Sequence, residues 1–260
     1  MRESMYSALF GAMTNEHRLD VIANNLANVS TNGYKKDNYA FQDTFQRFAT
    51  DYLPDSKPYV RGQELWPKAY VQARPRLGGQ YSDMSQGSIQ VTGNPLDVAL
   101  TGDGFFKVRT PKGDFLTRNG SFQLSSDGRL LTEQGFEVLG GGGTAVTLPR
   151  DNKLQIDVNG VIRADGTQVG SLDLVNVSDP KSVEKVGKNL YQIRKGSKAT
   201  EIPPDNLQVQ QGYLEKSNVE IVGELVNMME AQRAFEINQK IMTNTDTMES
   251  LVINKIGQVG

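Results

Sequence analysis

The chain has 260 residues, 37% of them hydrophobic and 22% charged, with 28 basic against 30 acidic side chains and a formal net charge of −2. This is ordinary for a soluble globular protein, argues against electrostatic capture of nucleic acid, and leaves no apolar run long enough for a helical membrane span. There is no cysteine and a single histidine, His17, which excludes thiol catalysis, disulfides, cysteine-ligated metals and any two-histidine metal site within one chain.

The N-terminus does not read as a secretory signal. Arg2 and Glu3 precede a short mixed run, Met5 to Met13, which Ser7 and Gly11 interrupt and no cleavage pattern closes. Export, if it occurs, takes another route. Met5 to Ala27 predicts one helix. Met5, Leu9, Ala12, Glu16, Leu19, Ala23 and Leu26 are spaced alternately four and three, a coiled-coil seam with one polar position. Ile22 and Ala27 widen the stripe. The turn dipeptide Asn32-Gly33 places the helix stop near Asn28.

Residues 46–88 carry Pro54, Pro58, Pro67 and Pro75 with Gly62, Gly78 and Gly79, and predict an extended connector with edge strands. Beyond them the period becomes two. Leu96, Val98 and Leu100 alternate, as do Phe106 and Val108, Phe122 and Leu124, Phe136 and Val138, and Leu154, Ile156 and Val158, with Leu172 and Leu174 following. Asp103-Gly104, Asn119-Gly120, Asp127-Gly128, Asn159-Gly160 and Asp165-Gly166 punctuate these runs. Short alternating strands between Asx-Gly turns indicate an antiparallel all-β domain. Phe106, Phe122, Phe136, Leu100 and Val138 are its expected core.

From Val219 to about Lys255 there is no proline, and glycine occurs only at Gly223. Val222, Leu225 and Met229 open a stripe that Ala234, Ile237, Ile241, Met248 and Val252 continue after a small drift. A helix of roughly 35 residues is long for a globular domain and suggests a coiled coil or shared bundle. An isolated helix would leave its stripe in water, so the two ends should be stable when paired with each other and with neighbouring subunits.

The expected fold class is therefore α+β. A discontinuous helical domain forms where residues 1–45 pair with residues 213–260. A connector spans 46–88 and a mainly antiparallel β domain spans 89–212.

Chemical motifs are incomplete. Gly102-Asp103-Gly104 lacks the third glycine of a dinucleotide fingerprint, and Lys107 stands there. Gly187-Lys188 lacks both the leading glycine and the following Ser/Thr of a phosphate loop. Asp157-x-Asn159-Gly160 lacks the first and twelfth carboxylates of a calcium loop. Nothing makes His17 catalytic. No catalytic residue, cofactor or metal is expected. The amides stand out more. Asn24, Asn25 and Asn28 occur within five positions, and Asn238, Asn244 and Asn254 lie in the last helix. They are either a solvated face or hydrogen-bonding groups that fix register between packed subunits.

Four ordered stretches resemble flagellar rod and hook proteins. The first is Asn24-Asn25-Leu26-Ala27-Asn28-Val29-Ser30-Thr31-Asn32-Gly33-Tyr34-Lys35. The second is Gly93-Asn94-Pro95-Leu96-Asp97-Val98-Ala99-Leu100 with Gly102-Asp103-Gly104-Phe105-Phe106. The third is Thr117-Arg118-Asn119-Gly120-Ser121-Phe122 with Asp127-Gly128, and the fourth runs from Leu214-Glu215-Lys216-Ser217-Asn218-Val219 through Gln232-Arg233-Ala234-Phe235-Glu236. Length, and the lack of a large central insertion, are similar to a rod rather than a hook member. The C-terminal stretch is similar to the distal rod type, whereas Met1 to Met13 and residues 46–88 depart from it. Both rod types stay open.

The resemblance implies a structural axial subunit of the bacterial flagellum. Such a subunit is exported by the flagellar type III apparatus without a cleaved signal, and polymerises across the periplasm to carry torque from motor to hook. Its partners would be itself and other rod and hook axial proteins, with no nucleic acid and no membrane insertion. The assembly interface would use Leu9, Leu19, Asn24, Asn25, Leu26, Asn28, Leu225, Met229, Phe235, Ile237 and Ile241. The alternatives are a hook-type member, a β-domain binding module on a helical dimerisation stalk, and an exported carboxylate-based wall hydrolase.

Overall fold

The computed structural model describes residues 2–48, 70–149 and 153–257. It is an α+β structure: helix α1 (Arg2–Ala27), a run of antiparallel strands, and helix α2 (Ile221–Gly257). Helix α1 ends where the Asn28 N–H is shared between the carbonyls of Asn24 and Asn25, at 3.2 and 3.1 Å. This tightened last turn is common at helix termini. Gly33 then takes φ +67°, and a Cβ at Gly33 would stand 2.5 Å from the Arg118 carbonyl, so this turn needs glycine both for its hand and for the approach.

Strands Asp37–Phe48 and Tyr70–Ser82 pair with each other. The main sheet runs Val183–Gly187, Leu190–Ile193, Gly113–Thr117, Phe105–Thr110, Glu137–Gly140, Leu130–Thr132, Phe122–Leu124, with Leu174–Val177 also on Phe105–Thr110. Leu154–Ile156, Val161–Ala164 and Thr167–Ser171 form a separate three-stranded sheet. Two further pairs close the chain's return: Val98–Thr101 with Gln208–Gln211, and Ile89–Val91 with Tyr213–Glu215.

Strand Phe105–Thr110 explains why the sheet is covered on both faces. Phe106 and Val108 enter one core with Leu100, Phe122, Leu130, Val138 and Ile162. The Phe106 and Phe122 rings meet edge to face at 5.1 Å, a favoured aromatic geometry. Phe105 points the other way and packs with Leu116, Val175, Val183 and Tyr191. Of the core residues expected from alternation, Leu100, Phe106, Phe122 and Val138 are buried, and Phe136 packs at the margin.

The Asx-Gly dipeptides divide into two kinds. Gly128, Gly160 and Gly166 have positive φ, as tight turns require. Gly120 instead marks a close approach: a Cβ there would lie 1.7 Å from the Val98 carbonyl oxygen. Among the described residues, 153–212 contribute eight short strands and one turn of 3-10 helix.

The chain divides into two compact units. One comprises residues 1–21, 39–80 and 226–260, and the other residues 22–38 and 81–225. In the first, a Cβ on Gly11 of α1 would come 3.0 Å from the Asn238 amide of α2, and Arg18 reaches Glu230 at 3.8 Å. Among the described residues, α1 buries Ala8 and Ala12 here and Ile22 and Asn25 in the second unit; of the expected seam, Ala12 is buried whereas Leu9 and Ala23 are exposed. Small side chains let helices approach closely where bulky ones would hold them apart.

Candidate assembly site: a closed junction and open helix faces

Within the second unit, the end of α1, the segment 31–38 and the first turn of α2 meet in a buried polar network. Glu215 is its centre. One carboxylate oxygen pairs with Lys35 Nζ at 2.7 Å and accepts the Gly87 N–H at 2.9 Å; the other takes Arg118 Nε at 2.9 Å. All three charged side chains are at most 4% exposed. Lys35 also donates to the Ser85 carbonyl, and Arg118 to the carbonyls of Gly102 and Gly104. Two cations on one anion, with the remaining donors on carbonyls, give the satisfied geometry that buried charge requires.

Around this centre the amides work in pairs. Asn25 donates to the Asp37 carbonyl and accepts the Asp37 N–H, both at 2.9 Å. Tyr34 donates to Asn24 at 2.8 Å. Asn218 accepts the Lys36 N–H at 2.6 Å and donates to the Asp83 carbonyl at 2.9 Å. Lys36 pairs with Glu224 at 2.6 Å, and Lys185 with Asp37 at 2.8 Å. The Lys185 ammonium also stands 3.8 Å above the Tyr34 ring, a cation–π contact.

Burial shapes the ionisation here. It lowers Lys35 below the ordinary lysine value, against the pull of Glu215, and lowers Lys185 against Asp37. Burial raises the phenols of Tyr34 and Tyr191 above their ordinary value, so both stay neutral.

The helices present the opposite chemistry. On α1, Tyr6, Leu9 and Met13 are 41–48% exposed. On α2, Leu225, Met229, Ile237 and Ile241 are 41–57% exposed, and Val222, Met248, Leu251, Val252 and Ile253 are exposed as well. Leu19, Leu26, Asn28 and Phe235 are half-buried and Asn24 is exposed. Asn25, in contrast, is 1% exposed, with its amide committed inside the chain. Sequence reasoning singled out these amides but missed Glu215, Lys35 and Arg118 as one cluster. The signal was available, since each sits in a different one of the four family-like stretches.

Among the described residues, no group of three His, Asp or Glu side chains is placed to hold a metal ion, and no helix is long and apolar enough to cross a membrane.

Three family models match this chain: flagella basal body rod protein over residues 5–35, flagellar hook protein FlgE/F/G D1 domain over residues 99–164, and flagellar basal body rod FlgEFG protein C-terminal over residues 210–255. The chain is 34% identical to the flagellar basal-body rod protein FlgG of Buchnera aphidicola subsp. Baizongia pistaciae, over 95% of this chain and 97% of that one. It is 32% identical to FlgF of Caulobacter vibrioides over the whole of both chains. It is also 32% identical to FlgG of Bacillus subtilis, over 98% and 99%. The polar junction lies across the matched segments, with Lys35 in the first, Arg118 in the second and Glu215 in the third. The chain belongs to the flagellar basal-body rod protein family, as a structural rod subunit of the flagellar basal body.

Proposed function

We propose that this subunit polymerises through its terminal helices and carries torque from motor to hook. Residues 1–45 and 213–260 form its discontinuous, coiled-coil-like assembly domain, 46–88 a connector and 89–212 the β domain. Leu9, Leu19, Asn24, Leu26, Asn28, Leu225, Met229, Phe235, Ile237 and Ile241 meet neighbouring subunits. Asn25 serves the same interface from inside, by fixing the end of α1. The partners are further copies and other rod and hook axial proteins. The type III export apparatus delivers the chain without a cleaved signal, across the periplasm and without membrane insertion or nucleic acid. The chain performs no catalysis.

One observation supports this reading most: the apolar residues of α2 from Val222 to Ile253 stand largely in water. Each large apolar side chain contributes about 1.5–3 kcal/mol when fully buried. A partner that covers several of them gains more than the ordering of its own side chains costs. Contacts between different patches of identical copies generate an open helical polymer when the rotation from one copy to the next does not close a ring. The test is isolation of basal bodies from cells whose only copy carries Ile237→Asp. The rod should be interrupted and swimming lost. Intact rods containing the variant would count against the proposal.

A further inference from the structure

Strands Val183–Gly187 and Leu190–Ile193 are joined by two residues, Lys188 and Asn189, both left-handed at φ 52° and 59°. Turns of this hand favour Asn-Gly, and a lysine there carries backbone strain. Asn189 has an internal reason for its place, since its amide donates to the Asn32 carbonyl at 2.6 Å. Lys188 is placed elsewhere. Its ammonium lies 5.8 Å from the Phe136 ring, at the rim of a cavity of about 310 Å³. Buried Phe115 and Leu190, with Phe136 and the 43%-exposed Val186, make the apolar lining, and Lys112 is a second cation on the rim. Among the described residues, neither lysine is in a salt bridge. The groove therefore suits an apolar side chain flanked by a carboxylate.

The chain itself presents such a tip. Asp157-Val158 opens the turn between Leu154–Ile156 and Val161–Ala164, and Val158 is 54% exposed. The tip is preorganised: the Gly160 N–H bonds the Asp157 carbonyl at 2.8 Å, and the Val209 N–H bonds the Val158 carbonyl at 2.9 Å. The Asp157 carboxylate meets Arg163 only loosely, at 4.0 Å with both side chains substantially exposed, a pair of little worth.

Tip and groove lie at different ends of one strand. Gly160, in the tip, packs against Leu174, which pairs with Phe106. Thr110, at the other end of Phe105–Thr110, borders the groove. Four residues of strand separate these positions by about 13 Å. A protrusion and a complementary recess at opposite ends are what a head-to-tail contact needs.

We propose that the Asp157-Val158 tip of one copy seats in the Lys112/Lys188 groove of the next, a contact between β units that adds to the helical ones. It rests on the rod-subunit reading above. The native chain has no cysteine, so Val158→Cys and Val186→Cys can be combined in one chain without competing thiols. After oxidation of cells that use this chain as their subunit, basal bodies should yield multimers that collapse on reduction, whereas neither single variant should yield any. Lys188→Glu should weaken the contact on the order of tenfold and shrink the swimming zone, and Asp157→Lys added to the same chain should restore it. Basal bodies that contain the double-cysteine chain without multimers, crosslinks to a different protein, or normal swimming of Lys188→Glu would overturn the contact and leave the rod reading intact. Absence of the parent chain from basal bodies would overturn both.

Discussion

The junction around Glu215 and the outer face of α2 treat burial in opposite ways. At the junction, charged side chains are withdrawn from water and almost every polar atom finds a partner within the same chain. Along α2, apolar side chains remain in water although the helix is 37 residues long. A satisfied polar cluster specifies one geometry and offers a newcomer little, whereas a wet apolar face offers area and little specificity of its own. On the proposed function, internal alignment falls to the junction and association to the helix faces.

The strongest way to break this comparison is to remove the anion at the junction. Glu215→Ala leaves Lys35 and Arg118 as buried charges without their counter-ion and should destabilise the chain by about 3–5 kcal/mol, read by urea unfolding. Asn25→Ala strips two partners from Asp37 and should cost about 2–4 kcal/mol in the same assay. Loss of under about 1 kcal/mol in either case would mean that solvent, rather than the chain, satisfies these groups.

A smaller effect follows from pH. Tyr191 stays neutral in the folded chain because burial raises its phenol, while in the unfolded chain it ionises near pH 10. Its contribution to stability is therefore complete below about pH 10 and falls above it, at roughly 1.4 kcal/mol per pH unit. Lys35 and Lys185 work in the other direction. Their folded values are lowered, so between those values and about 10.4 the unfolded chain holds more protons and stability rises with pH. Tyr191→Phe should flatten the alkaline loss relative to the parent in unfolding experiments across pH 9–11, a range set by these directions. Parallel curves would contradict it.

Much of the fold was legible because its signals are local. Alternation found strands at Val98, Phe106, Phe122 and Val138, and apolar stripes at helical spacing found both helices, with α1 ending at Ala27 beside the expected stop. The strand pair Asp37–Phe48 with Tyr70–Ser82 was harder to see. Its first strand mixes Asp, Gln and Arg with aromatics, and its two arms are too far apart for a tight-turn signal. Strands such as Thr167–Ser171 and Gln208–Gln211 carried no alternation signal because they are short and mostly polar. At the junction, Lys35 and Glu215 are 180 positions apart, and no periodicity reports such a pairing. On α1 the heptad held both Leu9 and Ala12; Ala12 is buried as expected, but Ala8, off the seam, is buried where Leu9 is exposed.

Ile237→Asp has the smallest expected effect on the chain and the largest on its assembly, and it tests the central claim most directly. Ile237 is 57% exposed, so the substitution should change the folded monomer's stability by no more than about 0.5 kcal/mol. In a polymer it places a carboxylate against every neighbour that covers the α2 face, at a cost of several kcal/mol per contact, on the order of the penalty for an unpaired buried charge. Thermal unfolding by circular dichroism, measured beside electron microscopy of basal bodies from the same strain, separates the two. The account predicts a melting curve matching the parent and no complete rod; complete rods built from the variant would contradict it.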